Sequence, residues 1–364
     1  MSDNTPEQNR IEERIESLLS RMTLEEKAAL TAGADFWTTT PIERLGIPPM
    51  KVTDGPNGAR GSDFAGGVSA ACFPVGIALA ATWDPDLVYR IGVALAEEAK
   101  SKGAAVLLGP TVNMHRSPLN GRNFECYSED PYLASRIAVA YVEGVQSQKI
   151  GTAVKHFVCN DSEFERMSIS SEVDERALRE IYLPPFRAAV EEAGTWSVMA
   201  AYNKLNGVHC SENAYVLQDI LKGEWGFDGF VVSDWFGAKS TVDSANNGLD
   251  LEMPGPGVWM GDKLVQAVRD GRVGEEVLDD KVRRLLRVMV RTGAIDAPGP
   301  RPEEAINRPE HRQVIRQAAA EGAVLLKNDG LLPLDEARIK RLAIVGPNAR
   351  DAKIMGGGSA QVTP

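Results

Sequence analysis

Residues 227–254 read FDGFVVSDWFGAKSTVDSANNGLDLEMP. Within them, Gly229-Phe230-Val231-Val232 has the make-up of a short buried strand: β-branched and aromatic side chains, no charge, and Gly/Asp punctuation just before. Ser233-Asp234-Trp235 follows at once. A carboxylate placed where an apolar strand ends, with an indole beside it, sits where parallel α/β proteins bind ligands. The same position suits an Asp that caps the next helix, and this stretch alone does not choose between the two.

The flanking chain repeats the pattern of strand, loop and helix. Residues 9–30 read as a surface helix, with Ile11, Ile15, Leu18 and Leu19 at helical spacing among charges. Met50 to Thr53 is a brief strand that ends in the turn Asp54-Gly55-Pro56-Asn57-Gly58, where a turn-forming Asp is the simplest reading. Asp84-Pro85 opens a capped helix that stops at Gly103. Ala104–Leu108 is the next strand. The loop 109–129 after it, carrying Arg116, Arg122, Glu125 and Glu129, is longer than compact domains usually tolerate without a functional reason. Asp130-Pro131 starts another helix. Gly151–Val158 is a strand with Lys155 and His156 near its end. A helix over 174–194, a strand over 197–201 leading into Tyr202-Asn203, and a helix over 212–223 return to the opening stretch. Helices over 261–271 and 275–292 follow.

This order indicates an α/β fold with a parallel sheet, and the repeat count and length suit a (β/α)8 TIM-barrel-like domain over residues 1–296. Asp54, Arg122, Lys155, His156, Tyr202 and Asp234 all fall at or just after the C-terminal ends of different strands. In a barrel those ends share one face, the face that carries active sites, and one shared site explains them better than six separate caps. Neighbouring strand residues point to opposite faces. If Lys155 and His156 serve one pocket the backbone must be irregular there, and a cis peptide at Lys155–His156 or His156–Phe157 is expected. Residues 297–340 read as a Pro-rich linker with a helix over 309–328. RLAIV at 341–345 reads as the first strand of a second α/β domain over 341–364. The GGGS at 356–359 is a weak phosphate-loop signal, because the Lys-Ser/Thr of a P-loop is missing.

With 51 acidic against 40 basic residues and a formal charge of −11, the chain lacks the basic face that a nucleic-acid partner needs. It has no run of 18 apolar residues, so no membrane partner is expected, and no signal-peptide core, so a cytoplasmic location is expected. Cys72, Cys126, Cys159 and Cys210 lack paired spacing and read as reduced, mostly buried thiols. His156-x-x-Cys159 is half of a metal site with no second half, so neither a metal nor any other cofactor is expected.

Six segments, TDGPNGAR (53–60), LLGPTVNMHRSPLNGRNFECYSEDP (107–131), AVKHFVCND (153–161), SVMAAYN (197–203), GFVVSDW (229–235) and LLKNDGLLPL (325–334), occur in one order and spacing. Together they resemble the N-terminal part of a family 3 glycoside hydrolase of the β-glucosidase kind, over nearly the whole chain from about residue 14. The resemblance implies a catalytic barrel followed by an α/β sandwich domain. It implies Asp234 as nucleophile, and Asp54, Arg122, Lys155, His156, Met199 and Tyr202 as the walls of the subsite for a nonreducing sugar. In that family the acid/base is a Glu of the sandwich domain, so the C-terminal remainder of the same enzyme is an expected partner, beside a β-glucoside or short oligosaccharide.

The residue chemistry fits. Glycosides are cleaved by two carboxyl groups, and in retaining enzymes one of them attacks the anomeric carbon. An Asp is ionised at neutral pH without special tuning. Lys155 and Arg122 would keep it anionic and donate to hydroxyls, although ion pairing with Glu125 or Asp161 is their structural alternative. Asp54 can accept from two adjacent hydroxyls, and removing it is expected to harm turnover far more than folding. Trp235 can wall the sugar's C–H face or simply pack in the core. Other readings are a β-xylosidase, a Schiff-base lyase using Lys155, and a noncatalytic sugar-binding protein.

Overall fold

The computed structural model describes residues 5–64, 66–297, 299 and 301–364. Its strands are β1 (Val52–Asp54), β2 (Val106–Leu108), β3 (Gly151–Phe157), β4 (Ser170–Ser171), β5 (Ser197–Ala200), β6 (Lys204–Leu205), β7 (Val208–His209) and β8 (Phe230–Ser233). β1, β2, β3, β5 and β8 form one sheet in that order, every pair parallel. Their residues are buried along the full length of each strand, as continuous apolar runs under flanking helices require. β4, β6 and β7 make a small separate sheet.

The ring is closed by single bridges rather than by full strands. Val232 bridges Leu251, Glu252 bridges Ala32, Gly33 bridges Thr39, and Thr38 bridges Lys51 just before β1. The two bridges at Thr38 and Thr39 are antiparallel. The barrel-like reading stands, but eight regular parallel repeats are not what the chain builds: five strands, joined by four ladders, and three irregular segments complete the circuit. The reason is local. Residues 31–40 lack a β-branched apolar run, and Gly33 is pressed against Gly255. A Cβ on Gly33 would meet the Gly255 nitrogen at 2.6 Å, and one on Gly255 would meet the Gly33 carbonyl oxygen at 2.1 Å.

Helices follow the capping signals. Asp84 accepts from the Leu87 N–H at the head of helix 85–101, and Asp130 accepts from the Tyr132 N–H at the head of helix 131–147. The expected single helix over 9–30 is two helices, Pro6–Leu19 and Leu24–Leu30. The second has its own capping box: Thr23 accepts from the Glu26 N–H and Glu26 accepts from the Thr23 N–H. The expected helix over 174–194 widens at 178–182 and restarts at Pro184, because Pro184 and Pro185 bring no N–H to the ladder. The helix expected to reach 328 stops at Glu321. Residues 341–345 are exposed and form no strand. Their apolar run fits a sheet interior, but among the described residues no neighbouring strand bonds with them. Cys126, Cys159 and Cys210 are buried free thiols, and Cys72 is half-buried.

Candidate active site

The parallel strands deliver their last residues to one cavity of about 750 Å³. Asp54 ends β1, Lys155 and His156 lie just before the end of β3, Met199 is next to last in β5 with Tyr202 just beyond it, and Asp234 follows β8 directly. Arg122 comes from the long loop after β2. These residues and Trp235 all line the cavity, so each of the eight positions expected from the sequence is brought to one place. The peptide between Lys155 and His156 is cis, and a second cis bond falls at Phe157–Val158 instead of His156–Phe157. The β3–β5 register shifts between Val154 and Phe157, and Lys155 and His156 both face the cavity.

Asp54 holds two cations. Its Oδ1 takes Lys155 Nζ at 3.1 Å and its Oδ2 takes Arg60 Nη2 at 2.8 Å. Arg122 pairs with Glu125 at 2.5 Å, and Glu125 also accepts from Thr111 at 2.8 Å. The ion pairing that competes for Arg122 is therefore real, with Glu125 and not Asp161, and does not remove Arg122 from the cavity wall. Lys155, engaged by Asp54, is not the free amine that a Schiff-base enzyme presents.

Asp234 has one oxygen tied and one open. Oδ1 accepts from the Trp235 N–H at 2.8 Å. Oδ2 is buried, has no hydrogen-bond partner among the described residues, and lies 3.6 Å from His156 Nε2. Burial pushes this carboxyl above the usual Asp value, against the pull of Arg122, Lys155 and the Trp235 N–H; Asp54 adds to the rise. The sequence expectation that it needs no tuning missed this desolvation. Burial also holds His156 well below its ordinary value, helped by Arg122, Lys155 and Arg166, so the ring is neutral. Tyr202 donates to the Trp235 carbonyl at 2.8 Å. Trp235 both walls the cavity and packs in the core. Its indole N–H donates to the Phe36 carbonyl at 3.0 Å and its ring sits 5.4 Å from that of Trp37.

Several residues that shape the site escape the sequence reading. Arg60, behind Asp54, is legible in principle, six residues on in the same turn motif. Glu163 and Arg166 line the cavity and pair with each other at 3.0 Å, and Arg166 stacks over Tyr202. Residues 356–359 fold over the cavity, where Ser359 Oγ accepts from Arg122 at 3.2 Å and the Ser359 carbonyl accepts from Arg60 at 3.2 Å. His156 and Cys159 do not converge, since Cys159 lines a separate small cavity with Asp161.

Residues 18–288 match the glycosyl hydrolase family 3 N terminal domain, and residues 323–364 match the family 3 C-terminal domain. The chain belongs to glycosyl hydrolase family 3. It is 60% identical over 349 residues to a β-glucosidase of Rhizobium radiobacter, covering 96% of this chain and 43% of that protein. It is 50% identical over 353 residues to β-glucosidase B of Emericella nidulans, covering 96% of this chain and 42% of that one. Among solved structures, a β-glucosidase from Kluyveromyces marxianus in complex with glucose superposes with a TM-score of 0.90 at 46% identity, over 96% of this chain and 43% of that one. The chain thus spans less than half the length of these relatives.

Proposed function

We propose that this family 3 chain carries the nucleophile and the sugar subsite of a retaining, exo-acting β-glucosidase. The observation that carries the reading is the open Oδ2 of Asp234, buried and unpartnered among the described residues in a cavity ringed by hydrogen-bonding groups. Asp234 attacks the anomeric carbon to give a glycosyl ester, which water then hydrolyses. Asp54, Lys155, Arg122 and His156 hold the hydroxyls of the terminal glucosyl residue, and Trp235 and Met199 provide the apolar wall. The similar β-glucosidase solved with glucose supports a glucosyl occupant.

The general acid/base is proposed to lie beyond residue 364. The other carboxylates lining the cavity are ion-paired: Asp54 with Lys155 and Arg60, Glu125 with Arg122, Glu163 with Arg166. An acid must hold a proton, which a cation partner opposes. Glu252 is also engaged, by the N–H groups of Val258, Trp259 and Met260. The test is a comparison of aryl β-glucoside and aryl β-xyloside hydrolysis by the full polypeptide and its Asp234→Asn variant. The glucoside is expected to be strongly preferred and its turnover lost in the variant; equal rates on both sugars would overturn the glucoside assignment.

A further inference from the structure

Asn113 lies in the loop after β2, buried at 4% exposure, and meets His156 at three atoms. Its Nδ2 donates to the His156 carbonyl at 2.9 Å, and its Oδ1 accepts from the His156 backbone N–H at 2.9 Å. These two bonds leave no freedom in which end of the amide is oxygen. The same Oδ1 lies 3.2 Å from His156 Nδ1. An amide oxygen cannot donate, so the ring proton sits on Nδ1. A neutral imidazole has only one such proton, which leaves Nε2 as a bare acceptor.

What Nε2 faces makes this consequential. Asp234 Oδ2 is 3.6 Å away, is also an acceptor, and has no hydrogen-bond partner among the described residues. Two buried acceptors opposed across a cavity are left for a ligand's hydroxyl hydrogens to satisfy. With the proton on Nε2 instead, a ring N–H would face Oδ2, drawing charge from that oxygen and removing an acceptor from the cavity. We propose that Asn113 is a positioning residue that fixes His156 as the Nδ1–H tautomer, so that Nε2 accepts a hydroxyl of the bound sugar and Asp234 Oδ2 stays free to attack. This rests on the glucosidase reading for the identity of the hydroxyl, but the tautomer assignment is independent of it.

The experiment is ¹⁵N NMR on the full chain labelled with ring-¹⁵N histidine, with the His156 signals assigned by their loss in His156→Gln. In the wild type at pH 7, Nδ1 is expected to carry the proton and Nε2 to be bare. Asn113→Asp keeps an acceptor at Nδ1 and should keep the proton there, while losing the Nδ2 donor to the His156 carbonyl. Asn113→Leu should abolish the Nδ1–H pattern and lower kcat/KM on an aryl glucoside about 10–100-fold, the range seen when the partner that orients a metal-bound histidine is removed. A wild-type proton on Nε2, or an unchanged Nδ1–H in Asn113→Leu, would overturn the proposal. Should Asn113→Leu fail to fold, the wild-type and Asn113→Asp spectra still decide. A wild type with Nδ1–H that neither binds nor turns over any glucoside would support the Asn113 assignment and overturn the glucosidase reading instead.

Discussion

Asp234 keeps one carboxylate oxygen on the Trp235 N–H and offers the other to the cavity. Its burial sets the pH behaviour expected of the chain. The carboxyl is raised above 3.8, with desolvation the largest cause and Arg122 the largest opposing one. A nucleophile must be ionised, so the acid limb of kcat/KM should lie above the ordinary Asp value, and Arg122→Gln should move that limb to still higher pH. A limb that stayed put in the variant would detach Arg122 from the nucleophile. The two ion pairs of Asp54 make it bear on folding as well as on turnover. Asp54→Ala strands two buried cations, Lys155 and Arg60, and breaking a buried pair costs roughly 3–5 kcal/mol. Denaturant unfolding should therefore show a stability loss of that size alongside the loss of turnover; an unchanged midpoint would show that neither cation depends on Asp54. The sequence pointed to Asp54 as a sugar-hydroxyl acceptor at a strand end. Which cations it holds depends on Arg60 folding back from its own turn, and a one-dimensional pattern does not carry that distance.

Strand ends were the legible elements, since a short apolar run followed by a polar residue survives any detail of barrel closure. Segments whose conformation depends on a distant partner were not legible. The glycine-rich segment 356–359 shows this. Gly356 lies against Phe124, where a Cβ would sit 2.4 Å from ring carbons, and nothing near residue 356 in sequence announces that contact. Gly356→Ala should displace Ser359 from Arg122 and Arg60 and raise KM for glucosides roughly fivefold, the worth of one hydrogen bond near 1 kcal/mol, with kcat less affected. An unchanged KM would place the segment outside the binding site. The helix 309–321 is docked by His311, whose ring meets Glu98 and Glu97 at 2.8 Å each. Burial pulls this imidazole down, but the two carboxylates outweigh it and the net shift is upward from 6.5. A raised histidine contributes stability that is full below the unfolded value and fades as pH rises through the folded one. The stability gap between wild type and His311→Gln should thus be widest below pH 6.5 and shrink above it, read by denaturant melts across pH. A gap that widened with pH would contradict the clasp.

At the scale of the whole molecule, one barrel-like ring gathers eight residues from five strand ends and their loops. Ser359, 299 residues along the chain from Arg60, is its hydrogen-bonded neighbour in space, and the segment around it closes over the site. Ten large apolar residues from Val324 to Val345 stay exposed, so the RLAIV run is recognisable by pattern but is not realised by pairing among the described residues. The proposed division of labour predicts a leaving-group dependence. General acid catalysis is worth roughly 10²–10⁴-fold and matters most for poor leaving groups. Residues 1–364 should therefore retain far more activity on a dinitrophenyl glucoside than on cellobiose, relative to a polypeptide extended by the remainder its relatives have. Efficient cellobiose hydrolysis by residues 1–364 would put the acid among these residues. Treating the polypeptide with a 2-deoxy-2-fluoroglucoside bearing a good leaving group, and mapping the modified peptide by mass spectrometry, tests whether Asp234 is the nucleophile. One fluoroglucosyl group, esterified to Asp234, is expected; a label on Asp54, Glu163 or any other carboxyl would overturn the assignment.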